Sequence, residues 1–231
     1  MPADGTAKDR IDSLRAGLAA RFRVIAVEGP IGVGKTTLAA RGAELLGLEA
    51  VLDSSLSNPF LERYYRHGGR YVLPTQLWFL LNRRRLWSEV EEKAEAGLVL
   101  ADFVPDRELV FARAVMEDFE RSVFSDLFAE LFGGFRRPDA VVFLSADADV
   151  LMERIASRNV AFEGRITRRY LDLLSDAFHN HFLSVEGLPV LVVNTNDYNI
   201  VSDPASVLDI YSQLLRCPAE VQYYTPPSME S

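Results

Sequence analysis

Apolar positions along the 231-residue chain follow two different spacings, which divide it into strands and helices. Short apolar runs, rich in β-branched residues, predict buried strands over 23–28, 49–53, 98–102, 139–144 and 189–193. Apolar residues three and four positions apart predict helices over 9–21, 36–46, 77–96, 109–132, 168–182 and from residue 147 onward. Strands that alternate with helices form a parallel sheet with helices on both faces. We therefore expect one α/β domain over 23–216 with five parallel strands, between a helical extension (1–22) and a C-terminal tail (217–231) whose last residues, 225–231, are mobile.

The charge and composition narrow the class of protein. Acidic residues outnumber basic ones by 33 to 25, which gives a formal net charge of −8. Nucleic-acid binders concentrate basic charge on one face, so we expect no nucleic-acid partner. The single cysteine, Cys217, excludes an internal disulfide. No apolar stretch reaches membrane-spanning length, and the charged N-terminal residues do not form a secretory signal. We expect a cytoplasmic protein without membrane contact.

A glycine-rich loop follows the first predicted strand. Residues 29–36, GPIGVGKT, match G-x-x-x-x-G-K-[ST] at every fixed position and stand between a strand and a helix, as a phosphate-binding loop requires. Its backbone N–H groups would surround phosphate oxygens, Lys35 would reach the β- and γ-phosphates, and the Thr36 hydroxyl would bind Mg²⁺. The alternative is a glycine-rich turn without a ligand. We predict that ATP is bound by the loop and its flank: Gly29, Pro30, Ile31, Gly32, Val33, Gly34, Lys35, Thr36 and Thr37.

Four segments carry a resemblance to a known family: GPIGVGKTT, NPFLERYYRHGGRYVLPTQLWFLLNRR, VLADFVPDRELVFARA and LMERIASRNVAFEGRITRRYLDLL. In this order and spacing they resemble the deoxynucleoside kinases, and most closely the bacterial deoxyadenosine/deoxyguanosine kinase-like branch, over about residues 24–201. The resemblance implies a three-layer P-loop kinase fold with an arginine-bearing lid, and a homodimer formed through the long helices. It also implies that ATP, with Mg²⁺, phosphorylates the 5′-hydroxyl of a deoxynucleoside, expected to be a purine, in nucleotide salvage.

Two aspartates end predicted strands, where ligands of parallel sheets bind. The resemblance implies that Asp53 takes the proton from the 5′-hydroxyl, although the family has the longer glutamate there; a turn aspartate is the alternative. Asp102 would bind Mg²⁺ and would also belong to the substrate-binding residues. The family's Arg-Ser after this position is absent here. Arg107 is a candidate to supply the missing positive charge, and a solvated helix residue is the alternative.

The resemblance also assigns the deoxynucleoside contacts. Gln76 would hydrogen-bond the nucleobase and Arg83, seven residues later and on the same helix face, would orient the pocket. Tyr65 and Glu163 would hold the 3′-hydroxyl of the sugar. Two other tyrosines compete with Tyr65 for this contact: Tyr64 and Tyr71.

Arg154 and Arg158 are the lid arginines that the resemblance implies. They are four residues apart, before an irregular stretch over 159–164, and their guanidinium groups would stabilise charge in the transition state. The alternative is an ordinary basic helix face paired with Glu153.

Two other functions stay open from the sequence. A P-loop kinase of another small acceptor, such as a nucleoside monophosphate, would need further basic residues, for which Arg66, Arg70 and Arg83 are the candidates. A regulatory module that binds a triphosphate without transferring phosphate would fit the two departures from the family pattern, at Asp53 and after Asp102.

Overall fold

Six strands and nine α-helices form the part of the chain that the computed structural model describes, residues 3–197 and 203–226. The strands are β1 Val24–Glu28, β2 Glu49–Val51, β3 Val99–Ala101, β4 Ala140–Ser145, β5 Val190–Asn194 and β6 Val221–Tyr224. The helices are α1 Ala3–Arg21, α2 Lys35–Leu46, α3 Leu61–His67, α4 Val72–Ala96, α5 Arg107–Val115, α6 Asp118–Phe132, α7 Ala148–Ser157, α8 Arg168–Phe182 and α9 Pro204–Arg216. Short 3₁₀ turns occupy Ser55–Ser57, Gly69–Tyr71 and Glu163–Arg165.

The strands form one parallel sheet in the order β2-β3-β1-β4-β5-β6. All five residues of β1 are buried, because this strand lies inside the sheet and both of its faces are covered. Because the strands are parallel, the carboxyl ends of β1, β2 and β3 lie at the same edge of the sheet. The phosphate-binding loop, Asp53 and Asp102 follow these three strands.

Helices cover both faces, as the strand pattern predicts. Ile25 and Val27 of β1 pack in a cluster with apolar residues of α1, α2, α7 and α9. Val24 and Ala26 point to the other face and join clusters that contain residues of α4, α5, α6 and α8. The alternation along one strand therefore separates the two helical layers, and the three-layer α/β architecture is confirmed.

The sheet has six strands rather than the five predicted. The additional strand, β6, lies within the segment expected to be a tail, and Val221 pairs with Val190 of β5. The chain is held there by Arg21 of α1, which donates hydrogen bonds to the carbonyl oxygens of Leu215 and Cys217, both at 2.6 Å. Of the residues expected to be mobile, 227–231 lie outside the described residues.

The helix predicted over 109–132 is two helices, α5 and α6. The chain is extended at Met116 (φ −97°, ψ 148°) and at Glu117 (φ −69°, ψ 158°). Met116 is buried against the apolar cluster between α4 and the sheet, which draws the chain inward at this point. The break lets α5 pack against α8 while α6 packs against α4.

The helix predicted over 9–21 is part of α1, Ala3–Arg21, which packs on α2 and α9. Within residues 3–197 and 203–226, no helix combines the length and the apolar character needed to cross a bilayer.

Candidate active site

The loop between β1 and α2 has the backbone shape of a phosphate cradle. Gly29, Gly32 and Gly34 have φ values of 141°, 88° and 105°, in the region where only glycine is unstrained. A Cβ atom on Gly29 would lie 2.3 Å from the carbonyl oxygen of Leu144, so glycine is also required there sterically. The helix α2 begins at Lys35, so its unpaired N–H groups and positive dipole end face the loop.

Lys35 lies folded against its own loop. Its Nζ donates a hydrogen bond to the carbonyl oxygen of Pro30 at 2.8 Å. Burial, and next the charge of Arg107, lower the pKa of Lys35 to about 7. A bound polyphosphate would add to the negative charge of Glu28 and Asp102, which already favours the protonated amine.

One cleft brings together most of the predicted site residues. Its lining includes, from the predictions, Gly29, Ile31, Gly32, Lys35, Thr36, Asp53, Tyr65, Gln76, Arg83, Asp102, Arg107, Arg158 and Glu163. Tyr64, Leu61, Thr75, Phe79, Glu108, Phe111 and Tyr170 complete the lining. The cleft therefore lies at the carboxyl edge of the sheet, where open α/β sheets bind ligands.

Asp102 joins the phosphate loop to Asp53, two residues beyond the end of β2. Its Oδ1 accepts a hydrogen bond from the backbone N–H of Asp53 at 2.7 Å, and its Oδ2 accepts one from the Thr36 hydroxyl. Burial raises the pKa of Asp102. A hydroxyl and a carboxylate in contact are the hard oxygen donors that Mg²⁺ prefers, so Thr36 and Asp102 fit this ion. Mg²⁺ held there would neutralise charge on the phosphates.

Asp53 lies in the cleft and not on a solvated turn, since its side chain is only 3% exposed. Its Oδ2 accepts a hydrogen bond from Arg83 Nη2 at 2.7 Å, and Asn82 Nδ2 is 3.4 Å from its Oδ1. The other arm of Arg83, Nη1, donates to Glu108 Oε1 at 2.5 Å. Arg83 therefore orients Asp53 and Glu108 together, and its positive charge is balanced by two carboxylates.

Sequence reasoning missed Glu108. It follows Arg107 directly, and its charge in an otherwise ordinary helix gave no signal of burial. Burial raises its pKa to about 7, against the opposing charges of Arg83 and Arg107.

Glu28, the last residue of β1, is the second residue that sequence reasoning missed. It is fully buried, and its carboxylate accepts hydrogen bonds from Arg107 Nε at 2.8 Å and Nη2 at 2.9 Å. It also accepts from the backbone N–H groups of Gly29 at 2.9 Å and Val104 at 3.0 Å. Arg107 is thus buried in the cleft wall, and its interpretation as a solvated residue is wrong. A charged residue at the end of an all-apolar strand was the available signal.

The other wall of the cleft is aromatic and polar. Tyr65 stacks on Phe162 with ring centroids 6.0 Å apart, and burial raises its pKa above the ordinary value. Tyr64 lines the same cleft, whereas Tyr71 lies beside His67. Gln76 is 2% exposed, and its Oε1 has no hydrogen-bond partner in the part of the chain that the structure describes.

The predicted lid arginines have different surroundings. Arg158 lines the cleft, where its charge opposes the rise that burial causes in the pKa of Glu163. Arg154 Nη1 donates to Thr195 Oγ1 at 3.0 Å and lies 3.5 Å from the carbonyl oxygen of Val33 in the phosphate loop. Of these two arginines, only Arg158 is among the residues given above as lining the cleft.

These features define a class: the protein is a P-loop phosphotransferase, with an acceptor site beside its phosphate loop. The family model "Deoxynucleoside kinase" matches residues 25–216, so the chain belongs to the deoxynucleoside kinase family. The predicted family, and with it an ATP-dependent phosphotransferase that acts on deoxynucleosides, is confirmed.

Relatives and solved structures agree with this family. The chain is 28% identical over 203 residues to a deoxyadenosine/deoxycytidine kinase of Bacillus subtilis (strain 168), covering 83% of this chain and 91% of that protein. It is 27% identical over 158 residues to a deoxyguanosine kinase of the same organism, covering 66% and 75%. The structure of the deoxyadenosine kinase from M. mycoides with bound dATP has the same fold, with a TM-score of 0.68, 20% identity and coverage of 84% and 99%.

Proposed function

We propose that this protein phosphorylates the 5′-hydroxyl of a purine deoxynucleoside with the γ-phosphate of ATP. The observation that carries the proposal is the pair of hydrogen bonds to Asp102, from Thr36 of the phosphate loop and from the backbone of Asp53. One carboxylate thereby fixes the distance between the triphosphate cradle and the candidate base. Positioning of this kind supplies a large part of the catalysis of phosphoryl transfer.

The phosphate side of the site needs little covalent chemistry. The loop amides and Lys35 bind the phosphates, and Thr36 with Asp102 holds Mg²⁺. Arg158, at the rim of the cleft, stabilises negative charge on the transferred group. Arg154, bound beside Thr195 and the phosphate loop, joins it as the second lid arginine, as predicted from the sequence.

Asp53 is the general base for the acceptor. Its Oδ2 is held by Arg83, while its Oδ1 has the long contact with Asn82, which leaves Oδ1 to accept the proton of the 5′-hydroxyl. Gln76 contacts the nucleobase. Tyr65 and Glu163 hold the 3′-hydroxyl, and the Oε2 of Glu163 is buried without a hydrogen-bond partner among the described residues. Arg107 supplies positive charge beside the phosphate loop in place of the absent arginine after Asp102.

The test is a panel of deoxynucleosides with ATP and Mg²⁺, in which ADP is measured and each product is identified by mass. The proposal predicts the 5′-monophosphate from deoxyadenosine or deoxyguanosine. Failure to phosphorylate any deoxynucleoside, with ATP binding intact, would instead support the regulatory module.

The same panel includes nucleoside monophosphates, the acceptors of the alternative kinase. Arg66 and Arg70 are exposed and outside the cleft lining given above, and Arg83 is already balanced by two carboxylates. The cleft therefore favours an uncharged nucleoside over a phosphorylated one. A nucleoside diphosphate as the main product would contradict this.

The long helices also carry a candidate dimer surface. Phe119, Val123 and Leu127 follow one another by four residues on α6, and their exposed fractions are 81%, 46% and 41%. Leu81 of the neighbouring α4 is 60% exposed. A row of large apolar side chains on one helix face is typical of a protein–protein interface, so we propose that a second copy of the chain covers it. The cytoplasmic setting stays a prediction.

A further inference from the structure

Within residues 3–197 and 203–226, several buried oxygen atoms of the cleft have no hydrogen-bond partner. They include Oε1 of Gln76 and Oε2 of Glu108. Both residues line the cleft, one from α4 and the other from α5, and Arg83, which also lines the cleft, donates a hydrogen bond to Glu108 Oε1. Buried polar atoms are almost always paired, so these two acceptors indicate a ligand that brings hydrogen-bond donors.

Two aromatic rings line the cleft near these residues and could pack against a nucleobase. Phe79 lies between Gln76 and Arg83 on α4, and Phe111 follows Glu108 by three residues on α5; both rings line the cleft. Their faces and edges offer apolar contact to a planar base. The unpaired oxygens of Gln76 and Glu108 are therefore available to the polar edge of that base.

We propose that Glu108 reads the nucleobase, and that its carboxylate form selects guanine whereas its protonated form accepts adenine. The inference rests on the proposed function, because it concerns the base of the same deoxynucleoside. It assigns a specificity-determining residue and makes the preferred substrate depend on pH.

The donor patterns of the two bases explain the choice. Guanine presents adjacent donors, N1–H and the N2 amino group, and an ionised carboxylate only accepts. Because Arg83 occupies Oε1 of Glu108, these donors would meet Oε2. Adenine presents an acceptor, N1, at the same place, and its lone pair would face a negative oxygen. A protonated Glu108 donates a hydrogen bond to N1 instead, while the Gln76 amide can accept from the adenine N6 amino group.

Both forms of Glu108 are accessible near neutral pH. The charged groups that face it are Arg83 from α4, Arg107 from α5, Asp53 after β2 and Glu28 from β1. Burial is the largest influence and raises the pKa of Glu108 to about 7, although the two arginines oppose the rise. The carboxylates of Asp53 and Glu28 add to the rise in this pKa.

The test is a competition in one vessel. Deoxyguanosine and deoxyadenosine are supplied at equal concentration with limiting enzyme, and the two monophosphates are measured by mass from roughly pH 6 to roughly pH 8, on both sides of the value of about 7. The product ratio equals the ratio of the two kcat/KM values. The titration of a group that acts on both substrates alike, such as Lys35, cancels in this ratio.

We expect the guanine-to-adenine ratio to rise with pH, by up to roughly 100-fold over the two units, because the ratio of carboxylate to acid changes tenfold per unit. In Glu108→Gln the ratio should be independent of pH, since an amide both donates and accepts throughout. Glu95→Gln, the same change at an exposed position of α4, should keep the wild-type profile.

A wild-type ratio that is independent of pH overturns the inference, as does an equal rise in Glu108→Gln. If Glu108→Gln does not fold, the wild-type profile alone decides. If neither deoxynucleoside is phosphorylated, the proposed function fails separately. The dissociation constants of the two deoxynucleosides, measured by calorimetry at the same pH values, then test the inference. The preference for deoxyguanosine over deoxyadenosine in binding should rise with pH as the product ratio would have done.

Discussion

Replacing Glu28 by glutamine tests the buried ion pair that holds Arg107 in the cleft wall. Glu28 is fully buried and accepts four hydrogen bonds, two of them from Arg107, whose side chain is only 7% exposed. Glutamine keeps the shape of the side chain but removes its charge. It also puts an N–H₂ group opposite donors that need an acceptor.

The expected loss is in the free energy of unfolding, and it arises because Arg107 stays buried after its carboxylate partner is removed. A buried arginine left without its partner costs about 3–5 kcal/mol of the free energy of unfolding. The matched control is Glu62→Gln, which breaks the pair of Glu62 with Arg66 on α3, where both side chains are about half exposed (53% and 52%). An exposed pair of this kind contributes under about 1 kcal/mol.

Urea unfolding followed by circular dichroism measures both changes. With a slope of about 2 kcal/mol/M, the midpoint for Glu28→Gln should fall by about 1.5–2.5 M, and the slope itself should not change. The double variant Glu28→Gln/Arg107→Met removes both charges, so it should lose less free energy than the sum of the two single losses. A loss for Glu28→Gln as small as that of the control, or strictly additive single losses, would refute this account of the pair.

Three further predictions follow from the site and the surface. Asp53→Asn should lower kcat by about 10²- to 10⁴-fold, because it removes the general base, and calorimetry should show unchanged ATP binding; full activity would exclude Asp53 from this role. Because burial holds the pKa of Glu108 near 7, above its value of about 4.3 in an unfolded chain, the folded state binds more protons between these values. The free energy of unfolding should therefore fall as pH rises from about 5 to about 7, and urea titrations of Glu108→Gln should show a smaller fall. Phe119→Asp should convert the proposed dimer to a monomer in light scattering after size-exclusion chromatography, whereas Tyr223→Asp, at a similarly exposed aromatic on β6, should not; equal masses for the two variants would contradict the α6 interface.

The fold could be predicted where the local pattern and the tertiary structure agree. The unit of β1, phosphate loop and α2 is an example, because its glycines, its lysine and its apolar strand all have short-range causes. The strand β6 could not be predicted, since VQYY becomes a strand only by pairing with β5, about thirty residues earlier. The break at Met116 was missed because methionine and glutamate are ordinary helix residues, and only packing against α4 and the sheet draws the chain inward there.

The site residues also divide into those that the sequence predicts and those that only the assembled fold reveals. Asp53, Gln76, Arg83 and Asp102 could be located through the resemblance to the deoxynucleoside kinases, and the structure brings them into one cleft. Glu28 and Glu108 were not recognised, because each acquires its role from an arginine on another element; the charge of Glu28 at the end of an apolar strand was the one signal. Their partners lie 79 and 25 residues away along the chain. Such pairs are visible only after the strands and helices are assembled.

The most direct test of the central claim is the fate of the γ-phosphate of ATP when the acceptor hydroxyl is removed. The enzyme is incubated with ATP, Mg²⁺ and either deoxyadenosine or deoxyguanosine, and in parallel with the 5′-deoxy analogue of each, and the products are identified by mass and phosphorus NMR. The account predicts a 5′-monophosphate and one equivalent of ADP from at least one deoxynucleoside, and no transfer to the analogues. ADP formed at the same rate with the analogues, or phosphate found on the 3′-hydroxyl, would contradict it.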